Sequence, residues 1–160
     1  MKKLILLLVV IGFASVSLQA KDWKALWITS DQCQSRTNSW ICFQKTVELP
    51  APDGKPVYAD IAVDSKYWMW INGEMVVFEG GLKRGPNPRD TYYDHVDIAP
   101  YLTEGKNSIA ILMWYFGKDG FSHKSSGKAG LLFDCQTDRY KILSDDTWKC
   151  KFYDAYEETG

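Results

Sequence analysis

Tyr67-Trp68-Met69-Trp70-Ile71-Asn72-Gly73-Glu74-Met75-Val76-Val77-Phe78 decides the fold. An Asn-Gly pair accepts the positive φ that a two-residue hairpin turn demands at both central positions. Apolar, aromatic and β-branched residues flank it on both sides, so two antiparallel strands meet at Asn72-Gly73. Trp68 and Trp70 share one face of the first strand, because side chains alternate with period two. One face of that strand must be core. The two tryptophans are expected to fill it rather than reach a ligand, since large side chains contribute most when buried.

Outward from the hairpin the same texture continues. Residues 39–49 alternate Ile41, Phe43 and Val47 against Gln44, Thr46 and Glu48, and Pro50-Ala51-Pro52-Asp53-Gly54 breaks the run with turn chemistry. Residues 23–29, 57–63, 92–98, 129–135 and 140–143 read as further strands. Ala99-Pro100-Tyr101-Leu102 predicts one helical turn. Gly105-Lys106-Asn107 then turns the chain into residues 108–116, whose apolar run predicts a central strand. Trp148, Phe152 and Tyr156 also fit a helical spacing. A strand over 148–153 is expected instead, because Lys149, Cys150 and Lys151 alternate and no cap precedes them. About eight to ten short strands without crossover helices predict an all-β fold, an antiparallel β-sandwich or jelly roll. Residues 80–90, with Lys83, Arg84 and Arg89, read as a solvated loop, and residues 117–128 form a second loop rich in Gly, Ser and Lys.

The first twenty residues belong to targeting. Lys2-Lys3, an apolar run from Leu4 to Phe13 and a small-residue exit at Ala20 have the order of a secretory signal peptide. A cut after Ala20 is expected, with Ser17 as the alternative. The run is too short for the ~20 residues that cross a bilayer, so no membrane contact beyond the signal is expected. The domain then spans 21–153, and 154–160 begin a polar linker. Export places the chain in the periplasm or outside the cell. Two of the 19 basic residues leave with the signal, so 17 face 20 acidic ones, a net charge of -3. That balance lacks the footprint of a nucleic-acid binder. Cys33, Cys42, Cys135 and Cys150 allow three full pairings, and buried thiols remain the alternative.

Catalytic patterns are weak. Gly120 to Lys128 resembles a phosphate loop only in outline: six residues separate the glycines, Ala129 stands where a hydroxyl is needed, and a strand follows. His95 is expected on a strand face, and His123 in a surface loop, with neither in a nucleophile elbow. Asp94 and Asp97 lie at odd spacing, on opposite strand faces, and are expected to fix the turn into 98–102. No dense Asp/Asn run suggests calcium, no cofactor is expected, and the metal content is left open. The aromatic content, 14%, is the one feature that points to a ligand. Sugar C–H faces pack on aromatic rings while their hydroxyls take hydrogen bonds from polar neighbours. The candidate carbohydrate contacts are Tyr92, Tyr93, Trp114, Tyr115, Asp119, Phe121 and His123.

Residues 67–74, Tyr93 to Asn107 and Ile109 to Trp114 together resemble the galactose-binding-like jelly roll at the start of many bacterial glycoside hydrolases. The opening Trp23 to Ile28, Asn38 to Trp40 and Phe43 to Lys45 look like its first two strands. Tyr115 to Phe133 is similar to the accessory N-terminal domain of bacterial alpha-L-rhamnosidases. Those enzymes place their acid and base in a helical barrel downstream, so the resemblance implies a non-catalytic module and supplies no catalytic residue. It implies a plant- or glycan-derived oligosaccharide, with rhamnose-containing ones the kind expected, and a downstream catalytic domain as partners. The alternative is a purely structural or docking domain. The chain then reads as a fragment of such an enzyme or a stand-alone relic of one.

Overall fold

The computed structural model describes residues 21–33, 36–82, 92–121 and 123–156. The signal segment, the three cations of the 80–90 loop and the last four residues lie outside that set. Nine strands follow in order: β1 (Ser39–Leu49), β2 (Tyr58–Asp64), β3 (Lys66–Ile71), β4 (Glu74–Gly81), β5 (Asp94–Asp97), β6 (Gly105–Tyr115), β7 (Gly130–Gln136), β8 (Lys141–Leu143) and β9 (Lys149–Tyr153). They form a five-stranded sheet, β4-β3-β6-β1-β9, and a four-stranded sheet, β5-β2-β7-β8, with antiparallel pairing throughout. The fold is an antiparallel β-sandwich. No α-helix occurs among the described residues; the helical turn expected at 99–102 is a 3-10 turn, Ala99–Tyr101, and a second one spans Asp31–Cys33.

The core lies between the sheets. Ile41 and Phe43 of β1, Tyr67, Met69 and Ile71 of β3, and Ile109, Ile111 and Met113 of β6 meet Ile61, Leu131 and Phe133 from the other sheet. Each is essentially solvent-free, and burying such a side chain contributes roughly 1.5–3 kcal/mol. The core face of β3 is therefore Tyr67, Met69 and Ile71, and Trp68 and Trp70 point the other way. The expectation that both tryptophans fill the core is corrected: with two-residue parity, the strand gives its core face to one set or the other, and the smaller set fits the packed layer.

Two polar devices close the end of the sandwich beside the hairpin. Asn72 and Gly73 have φ of 53° and 86°, and Gly105 has 84°, the left-handed backbone that the two turns require. Asn72 donates to the Tyr101 carbonyl and to Asn107 Oδ1, both at 2.8 Å, while its own Oδ1 accepts from the Ser108 amide at 2.9 Å. Asn107, wholly buried, donates to the carbonyls of Thr103 and Gly105 and accepts from the Thr103 amide.

Residues 23–29 do not form the first strand. Only Ile28 bridges to Leu131. The segment crosses the outer face of the four-stranded sheet, where Ala25 packs on Ala62 and Leu132 and its amide donates to Asp134 Oδ2. Ala25 covers the sheet face, Ile28 exchanges backbone hydrogen bonds with Leu131, the Leu26 amide donates to the Ser144 carbonyl, and the Leu26 and Trp27 side chains stay exposed.

Candidate functional site

An aromatic row crosses the outer face of the five-stranded sheet. Because Ile41, Phe43, Ile111 and Met113 face inward, Trp40 and Trp114 must face outward, and the antiparallel register sets them directly opposite each other. Their rings stack at 4.8 Å with 8° between planes, and Trp40 also stacks on Trp68 at 5.5 Å. Tyr156 leans on Trp40 at 4.6 Å, and Phe78 on β4 meets Trp68 edge-on at 6.5 Å. Asn38 Oδ1 accepts the Trp114 indole N–H at 2.8 Å. The row thus spans from β4 to β9. Mutual stacking occupies the indole faces that a pyranose would need and leaves an apolar band open to solvent.

The candidate contacts chosen from sequence do not form one site. Trp114 lies in the aromatic row. Tyr92 and Tyr93 are exposed near the four-stranded sheet, where Tyr93 meets Trp23 edge-on at 5.2 Å beneath the Lys21 ammonium. Phe121 is fully exposed and Asp119 exposed, its carboxyl held below the ordinary range by hydrogen bonds from Lys124 and the Ser125 amide. Tyr115 and His123 are buried, at 2% and 4% exposure, which corrects the expectation that both lie on a ligand-facing loop. Asp94 is also corrected: it accepts from the Gly81 amide, while Asp97 alone fixes the turn by accepting from Val57 and Ala99.

His123 belongs to a buried polar cluster between the β2–β3 corner and the 117–128 loop. Ser65 Oγ donates to Asp64 Oδ1 at 2.7 Å and lies 3.1 Å from His123 Nε2, which is itself 3.2 Å from Asp64 Oδ1. Asp64 Oδ2 accepts from the hydroxyls of Ser125 and Ser126. Serine, histidine and aspartate are present, but the arrangement is not a nucleophilic triad. The same imidazole nitrogen faces both Ser65 and Asp64, whereas a triad places the acid on the opposite nitrogen. Ser65 has no solvent exposure. The cluster fastens the loop.

Cys42, Cys135 and Cys150 offer no nucleophile either. Burial, with the Asp134 charge, pushes the Cys135 thiol up to about 12, and burial also raises Cys42 and Cys150. All three are free thiols. No cluster of three metal-ligating side chains occurs among the described residues.

A cleft of about 630 Å³ opens at one end of the sandwich between residues 52–58, the turn at 97–102 and the β7–β8 turn at 136–140. Arg139 donates to the Ala51 carbonyl at 2.8 Å and lies 3.8 Å from Asp53. Tyr58 forms part of the wall and stacks on His95 at 4.3 Å. Sequence reading assigned Trp68 to the core and missed Trp40, Phe78 and this cleft. Strand parity could have found the first two: the inward Ile41 and Phe43 force Trp40 outward, and the inward Tyr67, Met69 and Ile71 do the same for Trp68.

No protein-family model matches the chain, and no curated protein does. Among solved structures it is similar to a GH78 family rhamnosidase of Bacillus sp. GL1, at 31% identity and TM-score 0.73, over 83% of this chain and 14% of that one. Alpha-L-rhamnosidases from Dictyoglumus thermophilum (19% identity, TM-score 0.60, 82% of this chain and 17% of that one) and Aspergillus terreus (23%, 0.62, 81% and 17%) share the fold. The chain spans less than one-fifth of the length of each of these enzymes. The chain is an antiparallel β-sandwich that is similar, in fold and in sequence, to a segment making up 14% of a GH78 family rhamnosidase.

Proposed function

We propose that the chain is an exported, non-catalytic accessory module of an alpha-L-rhamnosidase-like glycoside hydrolase, and that its main work is to scaffold the catalytic domain. One observation carries this: the row Trp40–Trp68–Trp114, with Phe78 and Tyr156 at its ends, runs across the whole outer face of a sheet. An apolar band of that kind matches the aromatic-rich centre of an interface between domains. The stacked indoles have their faces against each other, so the band is better suited to a flat protein surface than to a sugar ring.

Two measurements separate this from sugar contact at the same face. A separately expressed alpha-L-rhamnosidase catalytic barrel is expected to be retained by the immobilised chain, and Trp68→Ala is expected to release it. Rhamnose-containing oligosaccharides are expected to leave tryptophan emission unchanged. Saturable quenching without barrel retention would move the sugar onto the aromatic row and end the scaffolding role. Release of rhamnose from an aryl glycoside by the chain itself would overturn the non-catalytic reading.

A further inference from the structure

The two margins of the outer face of the five-stranded sheet differ in charge. We propose that the surface docked on the aromatic row belongs to a protein that carries carboxylates over the β9 margin, where they meet Arg36, Lys149 and Lys151. The inference rests on the scaffolding reading above and adds the charge and the orientation of the partner.

Strand pairing sets both lysines on the docking face. Lys149 and Lys151 stand opposite Gln44 and Cys42 of β1, and Tyr153 stands opposite Trp40. Directly paired residues project from the same side of a sheet. Both ammonium groups therefore emerge on the side of the outward Trp40, away from the core. The Lys151 charge also works against the burial that raises the Cys42 thiol, so it is felt on β1 itself. Arg36 brings a third cation to this margin, its guanidinium 5.0 Å over the ring of Phe152, between Lys151 and Tyr153 in the strand.

The chain supplies no counter-charge to these groups. Arg36, Lys149 and Lys151 are exposed, and none makes a hydrogen bond or ion pair with a described residue. Of the acids that flank β9 in sequence, Asp145 pairs with Lys45, while Asp146 and Asp154 pair with none of the three cations. Glu48, the outward acid of β1, lies four residues beyond Gln44. At ~3.3 Å per residue that is ~13 Å, more than the ~8 Å screening length of physiological salt. The opposite margin is neutralised from within, because Glu79 on β4 accepts from Lys66 on β3 at 3.1 Å.

The combination selects the partner class. An apolar aromatic centre with a charged rim is the anatomy of a protein–protein interface. A nucleic acid or an anionic membrane calls for a broad basic field, whereas this sequence has 19 basic and 20 acidic residues. The indoles supply the contact area; the rim charges speed the approach and reject the wrong orientation. With only the β9 margin attracting carboxylates, an acidic partner settles one way round.

The test immobilises the full chain and uses the separately expressed catalytic barrel as the probe, with association and dissociation followed by surface plasmon resonance. Association should slow about tenfold between roughly 50 and 500 mM salt. Lys149→Glu and Lys151→Glu should each slow it fivefold or more at low salt, with dissociation changed less than threefold and melting curves unchanged. Lys141→Glu makes the same charge change on β8 of the other sheet and should alter association less than twofold. Retention that Trp68→Ala releases but that ignores salt and both lysine reversals overturns this inference and leaves the scaffolding reading standing. Equal effects of Lys141→Glu and Lys151→Glu also overturn it, since net charge would then suffice. A lysine reversal that lowers the melting temperature without slowing association does the same, by placing the lysine's partner within the chain. No retention of the barrel at any salt overturns both readings.

Discussion

Asn72 and Asn107 are 35 positions apart in the chain and bonded to each other, with every polar atom of both amides engaged. Asn107→Ala would remove the buried partner of the Thr103 and Gly105 carbonyls, the Thr103 amide and one Asn72 donor, of which Thr103 and Asn72 lie where water reaches. Leaving buried polar groups unpaired costs ~1–3 kcal/mol each in isolation, and rearrangement recovers part of it. We expect a loss of about 3 kcal/mol, read as a lower urea midpoint at unchanged slope; a loss below about 0.5 kcal/mol would show the network to be dispensable. Both asparagines stand out in the sequence because turn chemistry selects them. Their mutual bond does not, since nothing local tells one turn that it packs beside another. His123 failed for the same reason. A loop composition of Gly, Ser and Lys reads as solvated, and only the buried Asp64 carboxylate, 59 positions earlier, draws the imidazole inward.

At the scale of the strand, parity governs. On β1, β3 and β6 the aliphatic and mid-sized residues take the inner face, and the indoles take the outer one. The near-parallel Trp40–Trp114 pair should give a strong exciton couplet in the far- to near-ultraviolet circular dichroism. Trp114→Phe is expected to weaken that couplet, leaving the smaller part due to Trp40–Trp68, and to lower stability by about 1 kcal/mol, the usual worth of an aromatic pair beyond its area. A couplet unchanged by the substitution would mean that Trp40 and Trp114 are not stacked in solution. Element positions were largely readable: the hairpin, the 3-10 turn at Ala99–Tyr101 and the central strand β6 follow from backbone preferences that act over a few residues. Assigning faces needed more care. The β3 stretch is apolar on both sides, so hydrophobicity alone does not distinguish its core face, whereas alternation in β1 with Ile41 and Phe43 does.

For the whole molecule, strands distant in sequence are neighbours in space. β1 lies between β6 and β9, and β2 lies between β5 and β7. Closing such long loops before any pairing is rewarded slows folding, so refolding from urea is expected in the millisecond-to-second range, as for other β-sandwiches. Stopped-flow tryptophan emission would measure it, and a microsecond phase carrying the full amplitude would contradict this topology. The class of fold was readable from the absence of any sustained helical period, but the end cleft was not. Its walls come from residues 52–58, 97–102 and 136–140, and only the assembled sandwich brings them together. The N-terminal segment shows the complementary limit: an apolar run can touch a sheet at a single bridge and one small residue, Ala25, without becoming a strand.

The Asp64, Ser65 and His123 cluster has a consequence for anyone comparing relatives of this chain. Selection that preserves the shape of the 117–128 loop would keep an acid, a hydroxyl and an imidazole together, generation after generation, although none of them meets a substrate. A scan for invariant polar trios would then point to the hinge post of the building and mistake it for the furnace.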